Sequence, residues 1–461
     1  MGIAFGPINS GLPKDIVQQL MAAERAPIQK MEARKANIQA KKELVNELNR
    51  LTTEVRDIVA SNNNRIGFSE LKVLTNDDLA KVSVDKNVAV PGVHTMEIVK
   101  LAQKSSAMSV GLADKDKTYL GVGYFQYELP SGETRKIYVD RDHATLTGLA
   151  TLINQNQQLG LRASIINDGT GSKTPWRLIV TMEETGEENK IHFPKFYLVD
   201  GEEDFYLDQE REAHNGVIKV DGFEIQVPGN TVTNVIPGAT IELQKAAPGQ
   251  EFSITISEDQ AQITDKVKNI YDKVNNVLRF IRDQNNLDET VDTTKTLGGD
   301  ILLQNIESQI RGAMFQEIQT DYGKHRISEI GVNFQKDGLL KFDTDKFNRL
   351  ANENYRMVSQ IFTGTYDENN HKIQGHLDHL AEVLNRILRF PDGMLASRRR
   401  NLDSNINQID QQIANRQRHL EQKEAMLKDK FARLEQTISQ LQAQNTGANA
   451  LAANAPKLIP Q

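Results

Sequence analysis

The chain holds 461 residues, of which 38% are apolar, 25% charged and only 6% aromatic, with a formal net charge of -7. That length and composition give about three domains with real cores, and the low mean hydropathy points to an elongated molecule with much solvated helix. The acidic balance argues against nucleic-acid binding, which needs a basic face to replace phosphate counterions, and the absence of cysteine excludes disulfides, thiolate zinc sites and cysteine nucleophiles.

Met1 to Ser10 has neither a basic n-region nor an apolar h-region, so no cleaved secretory signal is expected. No apolar run reaches ~18 residues, so no membrane span is expected either. Lys14 to Ala60 lacks glycine and has one proline, Pro27. Apolar residues fall at Ile16, Leu20, Ile28, Met31, Ile38 and Val45, and a second row follows at Leu44, Leu48, Leu51, Val55 and Ile58. This four-three spacing predicts a coiled-coil seam; one helix of a globular bundle has the same spacing.

The character changes at about Asp77. Strands are predicted at Val82–Val84, Val93–Val99, Tyr124–Leu129, Lys136–Val139, Ala163–Ile166, Arg177–Thr181 and Ile191–Val199, with a short amphipathic helix over Thr145–Asn156. Val217 to Val227 alternates around Asp221-Gly222, a tight hairpin in which both turn positions need positive φ. Pro237-Gly238 and Pro248-Gly249 punctuate two more strands, ending at Ile256.

Helix resumes at Asp259, with Ile263, Val267, Ile270, Val274, Val277 and Ile281 spaced four and three. Further helices are predicted near Asp300–Phe315, Thr344–Phe362 and Leu377–Leu388, and Arg398-Arg399-Arg400 reads as a solvated first turn. In the last segment Ile406, Ile413, Leu420, Leu427, Leu434 and Leu441 recur every seven residues, with Leu402 and Ile409 at the companion position. Arg416 and Lys423 then interrupt that position, and Phe431 and Ile438 stand one place further along. Such a helix is marginal alone and needs a partner. Beyond Gln444 the tail is expected to fray or stay disordered until bound. The economical arrangement pairs the first and last helices and inserts the β part between them.

Candidate chemistry is sparse. His371, His376 and His379 cluster without a His-Glu-x-x-His pattern. Asp367 to Asn370 begins like a calcium loop but offers Lys372 where glycine is required. Gly169 to Thr174 lacks the phosphate-loop spacer. Glu183/Glu184 and Glu202/Glu203 read as solvated acidic loops. No catalytic, cofactor or metal residue is therefore assigned.

Six stretches carry a resemblance. They are Gly11–Pro27, Pro91–Ala102, Asn230–Gly238, Leu297-Gly298-Gly299-Asp300, Ile330–Leu340 and Lys428–Glu435. In this order they resemble the flagellar filament cap family, also called hook-associated protein 2. The resemblance implies an α+β multidomain fold with helical coiled-coil legs from both termini, a helical-bundle domain and two inserted β-rich head domains. The implied divisions are 1–43 as N-terminal leg, 44–76 and 259–400 as the helical domain, 77–112 and 216–258 as the inner β domain, 113–215 as the outer β-rich domain, and 401–461 as C-terminal leg and flexible tail.

It further implies a structural assembly factor, not an enzyme, at the distal tip of the flagellum, exported by the flagellar type III apparatus. There it forms a homo-oligomeric ring of about five copies, retains flagellin and promotes its insertion. Implied partners are other copies of itself, flagellin, the hook-filament junction proteins and an export chaperone at the C-terminal tail, with no cofactor, no nucleic acid and no membrane span. The residues expected to form leg seams and partner contacts are Ile16, Leu20, Met31, Ile38, Ile406, Ile413, Leu420, Leu427, Phe431, Leu434, Ile438 and Leu441. A surface adhesin or another axial flagellar component, relying on the outer β domain, and a glycosidase housed in the β part are the competing readings.

Overall fold

In the computed structural model the described residues are 16–286 and 292–453. They fall into two units. The chain up to Phe68 and from Thr264 onward forms one, and Ser69–Ile263 forms the other.

The first unit opens with α1 (Ile16–Asn62) and the short α2 (Arg65–Phe68). The chain then enters the second unit through β1 (Leu71–Leu74), β2 (Ala80–Val84), β3 (Gly92–Lys100), β4 (Lys104–Ser109), β5 (Val122–Glu128), β6 (Thr134–Val139) and α3 (Leu146–Gln155). It continues with β7 (Leu161–Asn167), β8 (Trp176–Thr185), β9 (His192–Val199), β10 (Leu207–Arg211), β11 (Gly216–Val220), β12 (Phe223–Val227), β13 (Thr231–Thr233), β14 (Ala239–Leu243) and β15 (Glu251–Glu258).

Two cores hold this unit. Sheets β1-β15-β3-β11-β12 and β13-β14-β2 share one, built on Met96, Ile98, Ile218, Ile241 and Ile254. The β11–β12 hairpin turns as the Asp-Gly pair requires, with φ of 50° at Asp221 and 85° at Gly222. Sheets β10-β4-β8-β7 and β6-β5-β9 share the other core with α3. Thr145 caps α3 by accepting a hydrogen bond from the Gly148 N–H at 3.1 Å. Leu146, Leu149, Ala150 and Ile153, at helical spacing, enter that core beside Phe125, Leu178 and Val180. Each such leucine or isoleucine contributes about 1.5–3 kcal/mol on burial.

Strand structure starts at Leu71 rather than near Asp77. β1 pairs antiparallel with the end of β15, Leu71 opposite Glu258, so its partner lies far away in sequence and no local pattern announces it.

The first unit resumes with α4 (Gln260–Asn285) and α5 (Ile301–Phe315). Two hairpins follow, β16 (Ile318–Thr320) with β17 (Gly323–His325) and β18 (Val332–Phe334) with β19 (Leu340–Phe342). Then come α6 (Thr344–Glu353), α7 (Tyr355–Thr363), the hairpin β20 (Thr365–Tyr366) with β21 (Lys372–Ile373), α8 (His376–Leu388) and α9 (Met394–Ala453). On α4, Val267, Ile270, Val274, Val277 and Ile281 are all buried, as their spacing requires. The single helix expected over Thr344–Phe362 is two. Asn354 ends α6 and caps α7, accepting from the Met357 N–H at 3.0 Å.

Two corrections concern the long helices. The face that α1 buries in the unit core is Val45, Leu48, Thr52, Val55 and Val59, whereas Leu44, Leu51 and Ile58 are only half-buried. Thr52 fits there because its hydroxyl donates to the Leu48 carbonyl at 2.7 Å, which satisfies the polar atom within the helix. The helix α9 also runs past Gln444 to Ala453. Alanines and leucine after Gly447 are strong helix formers and offset the roughly 1 kcal/mol that one glycine costs. The expectations for Met1–Asp15 and for Asn454–Gln461 lie outside the described residues.

Candidate functional site: the pairing of the terminal helices

Helices α1 and α9 belong to one unit and run antiparallel. Lys35 Nζ lies 2.5 Å from Asp410 and Lys42 Nζ 2.5 Å from Asp403, so a step forward on α1 is a step back on α9. The inward positions of α1 are Val17, Met21, Glu24, Ile28, Met31, Lys35, Ile38, Lys42 and Val45, an unbroken alternation of four and three. A narrow stripe of this kind covers little apolar area, and the helix depends on its partner for that area. Met21, Ile28 and Leu420 form the buried centre, and Val17, Met31, Ile413 and Leu427 pack around it.

Three of the nine inward positions are charged, and each finds its counter-charge on α9. Glu24 receives a hydrogen bond from Lys423 at 2.6 Å and lies 3.5 Å from Arg416. The hydrogen bond from Lys423 and that lysine's charge hold the Glu24 carboxyl below the usual carboxylate range. Arg416 and Lys423, which interrupt the apolar repeat of α9, are thus the residues that meet Glu24.

The candidate contact residues divide as follows. Leu420 is buried, and Met31, Ile38, Ile406, Ile413, Leu427, Phe431 and Ile438 are half-buried. Leu20 faces outward because its neighbour Met21 takes the inward place. Leu434 and Leu441 are 44% and 58% exposed. A straight helix with 3.6 residues per turn drifts off a strict seven-residue repeat. The covered stripe therefore moves to Phe431 and Ile438 while the sevens turn outward. Ile16 opens α1, but its side chain is outside the described set. Within the Val17–Lys42 stretch of α1, Met21 and Ile28 are the most buried, and Met21 was legible only through its spacing of seven to Ile28.

At the other end of α9, Arg398 is not a solvated first-turn residue. Its guanidinium lies 2.5 Å from Asp300, which also caps α5 by accepting from the Leu302 N–H at 3.0 Å. Leu297 is buried and Gly299 turns the chain at a φ of 72°, so the Leu-Gly-Gly-Asp stretch ties the start of α9 to the start of α5. In the Ile330–Leu340 stretch, Ile330 and Val332 are buried. The buried Asn275 of α4 clamps the β18–β19 hairpin, accepting from the Leu340 N–H at 2.7 Å and donating to its carbonyl at 2.8 Å.

The histidines do not converge. His376 is wholly buried between Tyr271 and Phe362, and burial pushes its pKa down to about 3. His371 lies 3.3 Å from Asp367, whose carboxylate caps its own loop by accepting from the Asn369 and His371 N–H groups. Among the described residues no group of three or more His, Cys, Asp or Glu is placed to hold a metal, and no helix is long and apolar enough to cross a membrane. Glu183, Glu184, Glu202 and Glu203 are exposed. This geometry provides a helix pair with a small apolar centre and solvent-exposed ion pairs along it.

The chain is similar to known proteins over most of its length. Residues 10–105 match the family model for the flagellar hook-associated protein 2 N-terminus, and residues 213–443 match the model for its C-terminus. The A-type flagellar hook-associated protein 2 of Pseudomonas aeruginosa is 25% identical over 94% of this chain and 94% of its own length. The flagellar hook-associated protein 2 of Aeromonas caviae is 24% identical over 85% of this chain and 83% of its own. Among solved structures, the D1-D2-D3 domains of the Escherichia coli flagellar cap protein FliD superpose with a TM-score of 0.58 at 19% identity, covering 78% of this chain and 100% of that one.

Proposed function

The chain belongs to the flagellar hook-associated protein 2 family, and on that premise we propose that it retains exported flagellin at the distal end of the filament and promotes its folding and insertion there. The family is one of structural flagellar cap proteins, so the chain has a filament cap role at the flagellum and is not an enzyme.

The observation that supports the finer reading is the α1–α9 pair. A cap has to hold the tip and still step aside for each new subunit. The buried centre of the pair is small, its inward charges are paired in solvent, and its apolar residues turn outward toward Leu434 and Leu441. Contacts of this kind each contribute little and reverse readily. In this reading 1–43 and 401–461 are legs that grip the filament. Residues 44–68 with 264–400 form the helical domain, and the inserted β segments form an inner and an outer head domain. Several copies close into a ring over the channel, the hook-filament junction proteins receive the first subunits, and a chaperone covers the C-terminal tail before export by the flagellar type III route.

The test is deletion of the gene, followed by assay of the medium for unpolymerised flagellin and measurement of filament length. Abundant soluble flagellin with absent or stubby filaments is expected. Normal filaments without leakage would reject the reading and favour a surface adhesin.

A further inference from the structure

On the β6-β5-β9 sheet, cross-strand register sets Tyr138 opposite Tyr124 and Tyr124 opposite Tyr197. Side chains alternate along a strand, so residues directly opposite share a face. For these three it is the solvent face, with exposures of 51%, 48% and 55%. The other face of the sheet is fixed in the core, where the Phe125 ring lies 4.9 Å from that of Phe196. One step of two residues further along, the same face carries Lys136, Gln126 and Lys195, paired across the strands in the same way. On the opposite side of the tyrosine row, Val122 faces the exposed Val199. The face therefore reads valine pair, tyrosine row, lysine-glutamine-lysine row.

Sheet formation does not require this. Threonine or lysine would serve a solvated strand, whereas half-exposed tyrosines leave apolar ring area in water. Tyrosine is enriched where rings bury against a partner and the hydroxyl stays wet.

We propose that this face docks an acidic protein segment carrying one large apolar side chain among its carboxylates. Two observations choose the occupant. The rings of Tyr124 and Tyr138 meet at 63° with centroids 5.2 Å apart, so they form a crevice for a side chain rather than a flat platform for a sugar ring. The lysines then set the charge. Lys136 Nζ stands 5.8 Å from the Tyr124 ring, and Lys195 occupies the matching place on β9. They make a cationic rim within a segment, 113–215, where acidic residues outnumber basic ones. An aromatic centre with a charged rim is the usual anatomy of a protein interface, and the sign of the rim selects the partner. β5, the central strand, is paired along both edges, so its tyrosine is read by side-chain contact and not by strand addition to β5. This inference is independent of the cap role.

The test is a random peptide display selection on the full chain, counter-selected in each round against the variant Tyr124→Ser/Tyr138→Ser/Tyr197→Ser. Thermal melts by circular dichroism confirm that this variant is folded. Surviving peptides are expected to be acidic with one large apolar residue and to lose affinity at least about tenfold on Tyr124→Ser. They are also expected to lose affinity on Lys136→Glu/Lys195→Glu, which leaves the tyrosines in place, and to weaken as salt is raised. Neutral or basic survivors, or no enrichment beyond the counter-selection, would overturn the proposal. So would retention of the chain on a sulfated polysaccharide that depends on the same tyrosines, or a tyrosine-dependent dimer in sedimentation, because each assigns the face to a different occupant.

Discussion

Along α1, the stretch from Val45 to Val59 buries Val45, Leu48, Val55 and Val59 almost completely within its unit, and its side chains meet those of α8 and α4. The stretch from Val17 to Lys42 buries only Met21 and Ile28, and the partner it meets there is α9. The two stretches share one helix and one four-three rhythm. They differ in what occupies the inward positions. In the first half three inward residues, Glu24, Lys35 and Lys42, are charged and matched on α9, and in the second half the polar inward residue is a threonine satisfied by its own helix. Hydrophobic periodicity therefore reports that a face is covered, while the charged interruptions report that the cover is a partly solvated helix rather than a closed core.

The largest effect is expected in the interior half. Val55→Asp places an unpaired carboxylate in a closed core and should cost about 4 kcal/mol or more, enough to unfold the helical unit in a thermal melt followed by circular dichroism. Retention of the wild-type melting curve would erase the contrast between the halves. Next comes His376, in the same interior. Its folded pKa, near 3, lies below the unfolded value of about 6.5. The unfolded chain therefore takes up a proton that the folded chain refuses. Stability should be full above pH 6.5 and fall by a few kcal/mol as pH drops toward 3. His376→Gln should flatten that fall, and melting temperatures at pH 7 and 4 measure it.

In the leg half, Leu420→Ala removes the buried centre of the pair and should cost about 2 kcal/mol. The loss should be confined to α1 and α9, which amide exchange along both helices would show as faster exchange there and no change in α4. Uniform loss across the unit would mean that the two halves of α1 are one cooperative block. The smallest effect belongs to Glu24→Gln. Its pairs with Lys423 and Arg416 are screened by solvent, so the variant should match wild type at high salt and exchange slightly faster in the pair at low salt.

The helices of both ends, the Asp221-Gly222 hairpin and the helix after Thr145 were legible because each is set by local spacing or turn chemistry. β1 was not, since its pairing with β15 is non-local. The outward turn of Leu434 and Leu441 was missed because a perfect seven-residue repeat reads as one stripe until the 3.6 period is imposed. Met21 was passed over for Leu20, one place along, and the match of Arg416 and Lys423 to Glu24 required the antiparallel register, which no single helix encodes. The tyrosine row was invisible for the same reason, because its members come from three separate strands.

The central claim is that the terminal pair holds the growing tip. The most direct measurement complements the deletion strain with Leu420→Asp and quantifies soluble flagellin in the medium, after confirming that the purified variant keeps its β signal and its main melting transition. The account expects leaked flagellin and short filaments from an otherwise folded protein. Filaments of normal length with a clear medium would contradict it.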